Sequence, residues 1–172
     1  MQISEPVVGF LTSATHDLIA RHGPKTIACQ NVWKNVLQSV SSSTTLQNDS
    51  DLVFAVASGY AYTVLVTLLI SGPTAGGFSV DLSVPATSYG CYGIFPDDIG
   101  PLTANNMAAG VNNCSKVYAT MPAASCVLFF HAVVSNLTAG GNIQLRWAQG
   151  TSNGSNTSVM PGSNMMIFAR GF

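Results

Sequence analysis

The stretch Tyr60 to Ile70, YAYTVLVTLLI, is apolar from end to end. It is too short to cross a bilayer as a helix, which takes about 20 apolar residues. Its Val, Thr and Tyr content suits a strand. Successive side chains on a strand point to opposite faces, so this strand is apolar on both sides. One side can pack into the core of its own chain, and the other needs a second cover. Val127 to Val134, VLFFHAVV, has the same character. A chain with two such segments is limited to folds whose central strands are shielded twice.

The remaining pattern is strand, turn, strand. Leu52 to Ala57 precedes the long segment, with the tight-turn pair Ser58-Gly59 between them. Phe78, Val80, Leu82 and Val84 alternate with Ser79, Asp81 and Ser83, which places Asp81 on an outward face. Asn31 to Val40 alternates imperfectly. Tyr89 to Phe95 is interrupted by glycine and reads as an edge or a bulge. Val117 to Met121, Cys126 to Leu137, Asn142 to Gln149 and Met165 to Arg170 complete the strands. Ser41 to Thr45, Gln47 to Asp51 and Gly72 to Gly77 have turn compositions, and Asp97 to Asn113 reads as a long loop. Eight or nine strands without a long amphipathic helix predict an all-β fold, an antiparallel sandwich or barrel. The beginning of the chain differs. His16 to His22 suits one or two helical turns stopped by Gly23-Pro24. The expected organisation is a short N-terminal arm over residues 1–25 and one β-sandwich domain over residues 26–172.

Composition sharpens the cover requirement. Only 8% of the 172 residues are charged, against about 25% in an ordinary soluble domain. Disorder does not explain this, because 47% of the chain is hydrophobic. A surface so poor in charge is expected to be covered in the working state, and a homo-oligomer is the natural cover. Six Lys+Arg against seven Asp+Glu give a net charge of −1. That balance makes no electrostatic case for nucleic acid or an anionic membrane. Met1 to Leu11 contains Glu5 and Pro6 and has no basic start, so it does not read as a signal peptide.

No residue set reads as a catalytic, cofactor-binding or metal site, and the expectation is a protein that is not an enzyme. His131 sits mid-strand in LFFHAVV without a nucleophile motif such as GxSxG, so it reads as a strand or interface histidine. Asp97 and Asp98 are adjacent in a loop and read as solvated turn acids, and Asp49 and Asp51 as residues flanking a turn. His16 and His22 are six apart and do not share a helical face with Asp17 for a metal. Gly72 to Gly77 lacks the lysine and helix of a phosphate loop. Cys29, Cys91, Cys114 and Cys126 lack zinc spacing, and buried reduced thiols are the default. Should the chain work outside a cell, Cys91 and Cys114 are the pair to test for a bridge. Five N-x-[ST] sequons, at Asn48, Asn113, Asn136, Asn153 and Asn156, follow from the abundance of Asn, Ser and Thr. Trp147 alternates inward with Ile143 and Leu145. Arg146 points the other way and, like Arg170, is available to a neighbour's carboxylate.

Two stretches carry a resemblance. LRWAQGTSNGSNTSVMPGSNMMIFAR, Leu145 to Arg170, resembles the C-terminal signature of tailed-bacteriophage virion structural proteins: a strand ending in WAQ, a Thr/Ser/Asn-rich loop, a valine, a GS turn and a final strand ending in Arg. TLQNDSDLVFAVASGYAYTVLVTLLISG, Thr45 to Gly72, resembles the earlier portion of that group, in which a TLQ-D-L segment leads into two strands joined by a short turn. The likeness runs from about Val32 to Arg170, and Tyr89 to Ala124 match little. The resemblance implies a jelly-roll-like β-sandwich forming a homotrimer on a virion, as a capsid decoration (cement) protein, a head fibre or a tail-fibre tip. A chain starting at Met1 without a shaft is expected to be the decoration type, on the capsid exterior, with residues 1–25 reaching the major capsid protein. It implies no cofactor and no covalent chemistry. For a fibre tip, Tyr89, Tyr92 and Phe95 would be the aromatic residues set to stack on a glycan.

Overall fold

A computed structural model of the chain describes residues 28–85, 90–95, 106–110, 113–121, 123–135 and 138–171. For residues 28, 90–95, 106–110, 113–114, 135 and 171 it describes the backbone only. Within these residues lie twelve strands: β1 (Ala28–Trp33), β2 (Gln38–Val40), β3 (Gln47–Val56), β4 (Tyr60–Ser71), β5 (Phe78–Ser83), β6 (Gly90–Phe95), β7 (Asn106–Gly110), β8 (Asn113–Tyr118), β9 (Ser125–Ser135), β10 (Gly141–Ala148), β11 (Thr157–Val159) and β12 (Asn164–Gly171). The one helical element among them is a single 3-10 turn at Thr74–Gly76.

The eight strands from β3 to β10 pair as nested partners: β3 with β10, β4 with β9, β5 with β8 and β6 with β7, all antiparallel. This is one long hairpin rolled up, so its pairs fall alternately into two sheets. Sheet B has the order β3-β10-β5-β8, and the other half of the roll has the order β4-β9-β6-β7. That arrangement is a jelly-roll β-sandwich. Beyond β4, the second sheet is extended by β12 and then β1, with β11 and β2 continuing the same two lines. The extended sheet is called sheet A.

The added ladder has one register throughout. Trp33 faces Asn164 and Gln38 faces Val159, so paired residue numbers total 197 on both sides of a break at residues 34–37. At the break the strands end, though the Lys34 amide still donates to the Ser163 carbonyl at 2.8 Å and the Gly162 amide to the Lys34 carbonyl at 3.1 Å. Ser163 closes it on the β12 side: its Oγ accepts from the Leu69 amide at 2.9 Å and donates to the Met160 carbonyl at 2.8 Å.

The core lies between the sheets. Trp147 and Phe78, both fully buried, stack with ring centroids 5.9 Å apart. Leu52, Leu68, Leu82, Leu128, Ile143 and Leu145 fill the space around them. Each such side chain contributes about 1.5–3 kcal/mol by leaving water. The β3–β4 turn uses Gly59 at φ +80°, as its left-handed backbone requires. Tyr62 holds that turn, donating to the Ala57 carbonyl and accepting from its amide. Gly77, at φ +58°, leaves no room for a Cβ against the carbonyls of Tyr118 and Ala119.

The all-β sandwich agrees with the sequence pattern, and several local readings change. Gln47 to Asp51 is not a turn but the start of β3, polar because Asp49 and Asp51 hold other segments. Asn31 to Val40 is two strands, not one. Tyr89 to Phe95 is not an edge: β6 lies between β9 and β7. Asp97 to Asn113 contains β7, whose NMAAG lacks the β-branched and aromatic residues that mark a strand. The three residues of β11 were too short to show periodicity. The arm expected over residues 1–25 lies outside the described residues.

Candidate interaction surface

The two stretches that carry the resemblance meet at one buried carboxylate. Asp49, on β3, is fully buried, as is Lys34 at the end of β1. The Lys34 ammonium donates to both Asp49 oxygens at 2.9 and 2.8 Å. The Trp147 indole N–H on β10 donates to Asp49 Oδ2 at 3.1 Å, and the amides of Asp51 and Leu52 donate to Oδ1 at 3.0 Å each. Five hydrogen bonds from four donor groups therefore satisfy one carboxylate. Next to it, Asp51 accepts from the amides of Asn35 and Val36, and these bonds hold its carboxyl below the usual carboxylate range. The two acids of β3 thus fix the 34–37 break of the ladder onto sheet B. Gln149 organises the polar corner. Its side chain accepts from the amides of Ser43 and Asn153 and donates to the Ser155 carbonyl and the Thr157 hydroxyl. The WAQ segment is thus structural, with Trp147 on Asp49 and Gln149 holding the Ser/Thr/Asn loop. Saturated by donors and shut from solvent, Asp49 is placed to hold the fold rather than to react.

The outer face of sheet B is mostly polar, with Val53, Ala55 and the exposed Val117 among its outward residues. Asn142, Gln144 and Arg146 of β10 share it with Ser79, Asp81 and Ser83 of β5 and with Ser115 of β8. Asp81 does point away from the core, yet it is fully buried. Arg146 covers it and donates to its Oδ2 from Nε at 2.6 Å and from a terminal guanidinium nitrogen. Arg146 therefore pairs within its own chain, not with a neighbour's carboxylate as the sequence reading allowed. Burial pushes the Asp81 carboxyl up, and the Arg146 hydrogen bond and charge offset this in part. Asp81 Oδ1 has no hydrogen-bond partner among the described residues.

The outer face of sheet A is apolar. Cross-strand pairing lays it out in rows: Trp33–Asn164–Thr67–Phe129, Asn31–Met166–Leu65–His131 and Cys29–Phe168–Thr63–Val133, with Leu69 beside Val127 at one end. Phe129 is 58% exposed, Trp33 51%, Val127 43% and Leu65 41%. Side chains this large and this open on one sheet, with Leu65, Val127 and Phe129 neighbours on β4 and β9, make this face the candidate interaction surface. Where β4 and β9 end near the Met160-Pro161 turn, Leu69, Cys126 and Val127 help line a groove of about 290 Å³.

His131 stands within this face, between Leu65 on β4 and Ile94 on β6. Its Nε2 is buried without a hydrogen-bond partner among the described residues. No group of three or more His, Cys, Asp or Glu side chains suited to a metal occurs among the described residues. Cys29 is exposed and Cys126 half-buried, both free thiols, so the expectation of buried thiols fails at Cys29, which lies on the sheet A face. Tyr92, Phe95 and Cys91 lie on β6 and Cys114 on β8. Tyr89, Asp97, Asp98, His16, Asp17 and His22 lie outside the described residues. The sequence reading missed Lys34 altogether. A lone lysine in NVWKNV gives no sign that it will be buried.

No helix among the described residues is long and apolar enough to cross a membrane. No family model matches the chain, and no curated protein sequence matches it. Among solved structures, one of the infectious bursal disease virus Gt strain is similar over 84% of this chain, with 9% identity and a TM-score of 0.24. One of the Gx strain is similar over 84%, with 8% identity and a TM-score of 0.24. This chain spans 36% and 39% of those two chains. The fold rests on the strand order above rather than on these distant likenesses.

Proposed function

We propose that this chain is a virion structural protein of a tailed bacteriophage, a homotrimeric capsid decoration protein on the exterior of the head. The observation that carries the reading is the outer face of sheet A: an apolar surface, open in the single chain, on a molecule with 8% charged residues. Such a molecule works covered. The resemblance supports the virion setting, and the residues that carry it, Asp49, Trp147 and Gln149, are the ones that hold the sandwich together. Decoration needs no bond-making chemistry. It acts by burying surface across the boundaries of shell subunits, with residues 1–25 reaching the major capsid protein and neither nucleic acid nor membrane as a partner.

Electron cryomicroscopy of intact particles tests this. Copies distributed over the whole shell are expected. A few copies confined to a fibre would instead support a receptor-binding tip, and absence from head and tail alike would end the proposal.

A further inference from the structure

We infer that the outer face of sheet A, centred on Leu65, Phe129 and Met166, is where one copy of this chain docks on another. This rests on the proposed reading that the chain works covered, and adds what does the covering.

Charge comes first. Among the described outward side chains of β1, β12, β4 and β9, Arg170 at one end is the only one with a fixed charge, and no carboxylate is present. His131 and Cys29 are the remaining ionisable groups. A strongly acidic or basic partner finds almost nothing to pair with here. A second copy brings the same apolar set and no like-charge repulsion at the centre of the contact.

Area comes second. The four strands whose outward side chains are described, β1, β12, β4 and β9, spaced about 4.8 Å apart over the eight residues of β12 at about 3.4 Å each, span roughly 520 Å². A stable protein–protein contact covers about 800 Å² on each partner, so these four strands supply well over half of one and the flanking surface the rest. Shape comes third. Phe129 and Trp33 stand proud of the sheet, and the groove beside Leu69, Val127 and Met160 opens on the same side. Knob and hole on one surface suit a heterologous contact between identical chains, the knob of one copy entering the groove of the next, which can close as a ring.

Sedimentation velocity of the full chain at micromolar concentration tests the assignment. The unaltered chain is expected to sediment as an oligomer. Phe129→Asp should weaken that association by about 100-fold, as loss of an interface anchor does. Val117→Asp, at an equally exposed site on sheet B, should leave it unchanged. Should Phe129→Asp fail to fold, Thr67→Arg places a charge beside Phe129 on an outward strand position that tolerates a long side chain. A monomeric unaltered chain overturns the inference, as does a folded Phe129→Asp or Thr67→Arg variant that associates like the parent. Protection of this face only when empty shells are added would give it to the shell instead, and also overturns it. An oligomer built through this face but absent from virions supports the inference while removing the decoration role. Isolated monomers on the shell do the reverse.

Discussion

The two outward faces of this sandwich come from strands of similar length, paired in the same nested roll, yet they differ in kind. On sheet B, Asp81 turns outward and is sealed under Arg146, with serines, Asn142 and Gln144 around it. On sheet A, the equivalent positions are Leu65, Phe129, Val133, Met166 and Phe168, interspersed with the uncharged Thr63, Thr67 and Asn164. Sheet B meets water mainly with polar groups, Val117 being its large exposed apolar side chain. Sheet A carries an apolar surface that its own chain leaves open. The fold alone therefore does not set the working surface; the choice of outward residues does. In a chain so short of charge, sheet B buries an acid under its arginine on the outer side, while sheet A leaves Leu65, Val127 and Phe129 open.

The largest expected effect comes from breaking the tie between the sheets. Asp49→Ala strands the Lys34 ammonium in the interior and frees the 34–37 segment, costing about 3–5 kcal/mol by denaturant unfolding. Replacing both partners, Lys34→Met with Asp49→Leu, should recover much of that loss, because no unpaired charge is left buried. A mild effect of Asp49→Ala would mean that the two sheets are held by their core alone.

The contrast between faces is sharpened by Phe129→Asp set against Val117→Asp. Each should change unfolding stability by no more than about 0.5 kcal/mol as an exposed substitution when measured at concentrations where the chain is monomeric, while only the first dissolves the assembly at higher concentration. Equal effects on assembly would erase the contrast.

Arg146→Ala uncovers Asp81 and should cost about 1–3 kcal/mol. A related test uses pH. Because burial raises the folded pKa of Asp81 above the ordinary aspartate value, the folded state holds this proton longer than the unfolded state. Asp81 therefore makes stability fall as pH rises from the ordinary carboxylate range through its raised value. Asp81→Asn should remove that component from a series of thermal melts across acid pH. Asp51 has the opposite sign. Its lowered folded pKa gives stability that is present above the ordinary carboxylate value and lost as pH falls through the folded one. Asp51→Asn should flatten the acid limb slightly, the smallest effect in the set, since the group lies near the surface.

The sandwich was legible from period-two patterning in Phe78 to Val84 and Asn142 to Trp147, and from the doubly apolar Tyr60 to Ile70 and Val127 to Val134. Those last two segments also foretold an open face. The clamp was not legible. Asp49 and Asp51 sit in a run of Gln, Asn, Asp and Ser, and local composition there says turn, while their partners, Lys34, Asn35, Val36 and Trp147, are far away in sequence. The outward position of Asp81 followed from alternation, but its burial depends on an arginine one strand over, which alternation along one strand does not encode. β7 and β11 escaped because pairing, not propensity, makes them strands.

The central claim is that the sheet A face is covered by another copy. Hydroxyl-radical labelling of the full chain across a dilution series reads this at individual side chains. Trp33, Phe129 and Met166 should lose reactivity together as concentration rises, while Val117 on sheet B stays constant. Unchanged reactivity of all four from dilute to concentrated solution would contradict the claim.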